Sequence, residues 1–299
     1  MMSSAQDLKA YRKEVTEALS DDFLRDAMEN FAVAYRASRK NAFKDKAEKK
    51  WIDAIATLKD HAIENMDYLY NEFKAHAQSA GVNVHLAENA EDANQIITAI
   101  ARKNKVQSII KSKSMTAEEI RLNHHMEAEG FEVTETDLGE WIIQLRKEGP
   151  SHMVMPAIHL SRFQVAKLFS SVTGYSQPDN IQKLVKVARR QLRQKFATAD
   201  MGISGANFAI ADTGTIGLVT NEGNARLVTT LPRVHVALVG LEKLIPTIDE
   251  ALKILQILPR NATGQALTSY VTWISGAAPC ATSPTQRKVM HIVFLDNGR

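Results

Sequence analysis

Between Asp7 and about Gln78 the chain contains neither glycine nor proline, and no later stretch of similar length shares that property. A segment without helix breakers, whose apolar residues recur every three or four positions, folds as amphipathic helices laid against something else. Trp51, Ile55, Leu58, Ala62, Met66, Leu69 and Phe73 form one such stripe. Phe23, Ala27, Phe31, Ala34 and Tyr35 form an earlier one over 22–43, behind the capping residues Ser20 or Asp21. The stripes read as core-facing surfaces, with a partner-binding arm as the alternative. Residues 1–78 are therefore expected to be an all-helical region.

From Gly81 the texture changes to short β-branched or apolar runs alternating with helical ones, the pattern of an α/β domain over 79–299. Strands are predicted at 82–86, 106–110, 132–136, 141–145 and 153–155, and helices at 90–102, 116–129, 160–169 and 181–198. Residues 173–180 read as a loop, and a further helix over 247–258 is expected to stop before Pro259. With 299 residues, 44% of them hydrophobic, the chain can bury a core without covalent staples. Its single cysteine, Cys280, permits no internal disulfide and fits a reducing, cytoplasmic setting. No transmembrane segment is expected, because the longest near-continuous apolar run, 234–241, falls far short of the roughly 20 residues a bilayer needs. The first residues lack the basic start and apolar core of a secretory signal. Thirty-seven Lys and Arg against 34 Asp and Glu leave a net charge of +3, too small to indicate a nucleic-acid partner.

Two segments carry candidate chemistry. Lys111-Ser-Lys-Ser-Met-Thr-Ala-Glu-Glu follows a predicted strand and opens a helix. Ser112, Lys113 and Ser114 there could hold a small anion at the carboxyl end of the sheet, although Thr116 and Glu119 also make a plain capping box. In the second segment Asp212, Thr213, Gly214 and Thr215 form a turn between the alternating runs 207–211 and 215–220, a predicted hairpin. Beyond it lies Glu222, followed by Gly223 and Asn224. Glu222 could act as nucleophile, general base or hydroxyl anchor, or be an ordinary turn residue. The basic helix 181–199 reads as a solvated face, with contact to an acidic partner or a membrane surface as the alternative. His124 and His125 point about 100° apart on a helix, so no metal site is assigned. Cys280 lies in a glycine- and proline-containing loop with no basic neighbour to favour its thiolate.

Five ordered blocks resemble the LUD domain family: Lys111-Ser-Lys-Ser-Met-Thr-Ala-Glu-Glu-Ile, Glu135-Thr-Asp-Leu-Gly-Glu-Trp-Ile-Ile-Gln-Leu, Pro150-Ser-His-Met-Val-Met-Pro-Ala-Ile-His, residues 202–226, and Leu231-Pro-Arg-Val-His. The resemblance is narrowest to the lactate-utilisation iron-sulfur proteins, subunits of a cytoplasmic complex that oxidises L-lactate to pyruvate. It implies a Rossmann-like sheet of the phosphosugar isomerase and CoA-transferase superfamily. A small anionic ligand is then expected on Ser112, Lys113 and Ser114, with Asp212, Thr213, Gly214, Thr215, Glu222, Gly223 and Asn224 on the opposite wall, and the resemblance implies other lactate-utilisation subunits as partners. Family members carry a ferredoxin-like region with two 4Fe-4S clusters; one cysteine cannot ligate a cluster, so none is expected on this chain, which reads as an excised domain or a cluster-free variant. The alternatives are an acyl- or CoA-transferase using Glu222 as nucleophile, and a non-catalytic docking module.

Overall fold

The computed structural model describes the backbone of residues 5–44, 47–280 and 283–298, and the side chains of 8–44, 50–278 and 288–298. Four helices open the chain: α1 (Ala5–Ser20), α2 (Asp22–Ala42), α3 (Ala47–Glu64) and α4 (Met66–Ser79). Asp21 starts α2 by accepting the Leu24 N–H at 3.0 Å. The later stripe buries Ala62, Leu69 and Phe73 against the domain, whereas Trp51 at its start and Phe23 on α2 remain exposed.

The order continues as β1 (Asn83–Ala87), α5 (Ala90–Lys103), β2 (Ser108–Lys111), α6 (Met115–Glu119), α7 (Leu122–Ala128), β3 (Glu132–Glu135), α8 (Leu138–Arg146), α9 (Arg162–Thr173), α10 (Ile181–Thr198) and β4 (Met201–Ser204). There follow β5 (Phe208–Ile210), β6 (Thr215–Thr220), α11 (Asn224–Thr230), β7 (Val234–Gly240), β8 (Leu244–Ile245), α12 (Ile248–Thr263), β9 (Tyr270–Ile274), β10 (Pro279–Cys280), β11 (Ser283–Arg287) and β12 (Val289–Leu295). Six strands make a wholly parallel sheet in the order β1-β12-β7-β4-β2-β3. Helices cover both faces, which explains why β7 is buried at every position: Val234, Val236 and Leu238 pack into one apolar layer and Ala237 and Val239 into the other. On the second layer Phe73 of α4 meets Phe294 of β12 edge to face, with ring centres 5.1 Å apart. A smaller sheet, β8-β5-β6-β9, contains the predicted hairpin, with Ala209 opposite Ile216. The expected α/β class with a helical N-terminus is the one observed.

Five local expectations are corrected. Residues 141–145 lie in α8: Asp137 accepts the N–H groups of Gly139 and Glu140, and the run Trp141-Ile142-Ile143 is buried. A short run that is apolar on every side shows no period, so strand and helix look alike in sequence. Residues 153–155 form no strand; they lie in a bent segment that leads into a turn over 156–159. The helix over 116–129 is broken into α6 and α7 at Arg121, whose φ is +50°. The helix at 247 runs through Pro259 to Thr263 before Gly264 ends it, so proline sits inside its last turns. Where a loop was expected around Cys280, β10 and β11 pair antiparallel; the Cys280 side chain lies outside the described residues.

Candidate functional site

The chain leaves β2 toward β3 on one side and returns from β3 to β4 on the other, so the strand order reverses between β2 and β4. Loops diverge above such a point and open a crevice at the carboxyl ends of the strands, where doubly wound sheets bind ligands. Here that edge carries the segment after Lys111, the Glu135-Thr136-Asp137 end of β3 and the end of β4 at Ser204.

Lys111 itself is no surface group. It is wholly buried and its Nζ lies 2.9 Å from both Glu118 and Glu135. Burial opposes its charge, but the two carboxylates overcome it and raise its pKa. Burial pushes the Glu135 carboxyl up despite Lys111 and the Asn123 amide that donates to it, and its Oε2 has no partner. Beyond Lys111, the Ser112 N–H continues the sheet by donating to Ile203 O at 3.0 Å. Ser114 caps α6 through its Oγ, which accepts the Ala117 N–H at 3.3 Å. The five-residue α6 therefore spends a first-turn donor on its own cap.

Lys113 lies at this edge beside the start of α8. Its Nζ stands 3.2 Å from Glu140 Oε1 and donates to the Val154 carbonyl at 3.1 Å. Burial raises the Glu140 pKa, against the pull of Lys113. Glu222 approaches from the end of β6. Partial desolvation raises its pKa first, Asp137 adds to that, and Lys113 and the N–H groups of Glu222 and Asn221 oppose it. Next to it, Asn224 Nδ2 donates to Thr136 Oγ1 at 3.2 Å, and that hydroxyl donates to Lys111 O at 2.9 Å, which ties α11 to the end of β3. Ser112, Lys113, Ser114, Glu222, Gly223 and Asn224 thus gather at one edge.

Asp212, Thr213, Gly214 and Thr215 do not join them. Their turn stands at the other end of β6 from Glu222, about 17 Å away at the rise of an extended strand. It packs on α4 instead: Gly214 has φ +61°, and a Cβ there would lie 2.3 Å from the Ala77 nitrogen. The tight approach needs glycine for packing, not for a ligand. Thr215 Oγ1 is occupied with Ser275 Oγ at 2.6 Å. Sequence reading missed Asp137 and Glu140 because it took the next segment for a strand; the Asp-x-x-Glu spacing of a helix start was the available signal. Among the described residues no group of three His, Cys, Asp or Glu is placed to hold a metal ion, and no helix is long and apolar enough to cross a membrane.

An α/β protein with polar groups gathered at its strand-order reversal is the class that fold and site define. Residues 70–295 match the LUD domain, and the chain belongs to that family. It is 39% identical over 291 residues to "Lactate utilization protein B" of Oceanobacillus iheyensis and 40% to the protein of that name in Shouchella clausii. It is 37% identical to "Uncharacterized electron transport protein YkgF" of Escherichia coli. Each alignment covers 97% of this chain but 61% of the relative, so the chain spans about three-fifths of their length. A crystal structure of a DUF162 family protein from Deinococcus radiodurans superposes with a TM-score of 0.42 at 15% identity, covering 77% of this chain and 96% of its own.

Proposed function

We propose that this chain is the LUD part of a lactate-utilisation protein, working with other subunits of a cytoplasmic lactate-oxidising assembly, and that its crevice binds a small carboxylate such as L-lactate or pyruvate. The relatives' names support the pathway, and the placement of Lys113 and Glu222 at the same carboxyl edge, near enough for the ammonium to act on the Glu222 carboxyl, is the observation that carries the site. In this reading the Lys113 ammonium takes the ligand carboxylate, and the hydroxyls of Ser112 and Ser114 add donors. Glu222 accepts the hydrogen bond of the ligand hydroxyl. A 4Fe-4S cluster does not fit it, since Cys280 supplies at most one of four thiolates, and no step here runs through one.

Calorimetric titration with L-lactate and pyruvate tests the site. Lys113→Ala removes one charge-assisted contact, about 1.5–3 kcal/mol, and should weaken binding roughly ten- to a hundredfold while the protein stays folded. Unchanged affinity would remove Lys113 from the site. A covalent adduct trapped on Glu222 after exposure to an acyl-CoA would favour the transferase reading instead.

A further inference from the structure

We infer that Glu140 is a built-in ligand mimic: with the Val154 carbonyl it occupies the Lys113 ammonium in the way a bound carboxylate would, so that a small carboxylate enters only by displacing it. This rests on Lys113 being the ligand contact, as proposed above. The distances of 3.2 and 3.1 Å commit two of the three Nζ donors to groups of the chain itself. Glu140 is not a mobile surface group. It sits in the first turn of α8, whose start is pinned by the Asp137 cap and whose next residues, Trp141 and Ile142, are locked in a buried apolar cluster with Phe169 and Leu184. The mimic is therefore preorganised.

The charges around Lys113 set the cost of exchange. From the β2–α6 segment come Lys111 and Glu118, from α8 Asp137 and Glu140, and from the β6–α11 turn Glu222. Lys111 is already paired with Glu118 and Glu135, so it offers the crevice little. Lys113 thus faces Glu140 and Glu222, with Asp137 acting on Glu222 beside them. A ligand carboxylate would add a further negative charge unless Glu140 takes up a proton, which burial of its carboxyl already favours. Binding is then coupled to uptake of up to one proton. The affinity rises as pH falls toward the Glu140 pKa, while an ordinary ligand carboxylate, with a pKa near 4, stays ionised.

The test is titration of the full chain with sodium L-lactate from pH 8 to pH 5.5, in buffers of different ionisation enthalpy that count the protons taken up. Wild type should gain up to about tenfold in affinity per pH unit, the limit for one coupled proton. Glu140→Gln should bind at least about tenfold tighter than wild type at pH 8 and lose most of the pH dependence. Glu140→Asp, which keeps the charge but shortens the reach, should fall between them and serves if the glutamine variant does not fold. An affinity and slope in Glu140→Gln equal to wild type, with Lys113→Ala still impaired, overturns the mimic and leaves the ligand site standing. Binding that survives Lys113→Ala unchanged, or that is absent from every variant at every pH, overturns both.

Discussion

Lys111→Met isolates the electrostatics beneath the crevice. The substitution nearly preserves volume, so its effect comes from charge: it leaves Glu135, with its side chain 3% exposed, without the ammonium now 2.9 Å away. Glu118, at 31% side-chain exposure, can turn to water. Removing one member of a buried pair commonly costs about 3–5 kcal/mol. Glu135 has an escape, because it can fold protonated. Protonating a carboxyl of ordinary pKa 4.5 at pH 7 costs about 3.4 kcal/mol, which caps that part of the loss; at pH 5 the same step costs about 0.7 kcal/mol. The sign follows from linkage. In the variant the folded pKa of Glu135 is raised far above its unfolded value, so stability is largest at low pH and is lost as pH rises above 4.5. Urea denaturation of variant and wild type at pH 7, 6 and 5 should therefore show a deficit of up to about 3 kcal/mol at pH 7 that shrinks on acidification by at most about 1.4 kcal/mol per pH unit, and by less where wild-type Glu135, itself raised by burial, also takes up its proton. A deficit below about 1 kcal/mol at pH 7, or one that does not change with pH, would refute the view that Lys111 neutralises a buried carboxylate.

Three further outcomes are expected. Burial holds His235 down to about 3 and His291 to about 4, from an ordinary 6.5, so both fold neutral. Their contribution is present above pH 6.5 and is lost as pH falls from 6.5 toward 4, by up to about 1.4 kcal/mol per unit for each; His235→Asn should flatten that acid limb in denaturation curves. Gly202→Ala would place a Cβ 2.1 Å from the Val228 carbonyl oxygen, forcing α11 away from β4, so a loss of about 1–3 kcal/mol or more should appear as a lowered Tm. Ser114→Ala removes the cap of α6 and should cost about 1 kcal/mol by the same assay, with weaker L-lactate binding if its hydroxyl also serves the ligand.

Periodicity and breaker placement alone determined the helical N-terminus, the α/β class, the hairpin at β5–β6 and the approximate places of β1, β2 and β3, because each shows a clear period or a bounded β-branched run. The family was legible in five motif blocks, since motifs survive in linear order. Local sequence failed where burial was complete or tertiary contacts overrode propensity: the apolar run of α8 carried no period, and α12 continued through Pro259. The site shows the same division. Ser112, Lys113, Ser114 and Glu222 were visible as polar residues beside strand ends, yet which of them meet was settled by the sheet order. The reversal between β2 and β4 brings Lys113 and Glu140 to one edge and the Asn224–Thr136 contact brings the Glu222 turn there, while the direction of β6 carries Asp212–Thr215 to α4 at the other. Strand direction and sheet neighbourhood are long-range pairings, and no short window of sequence contains them.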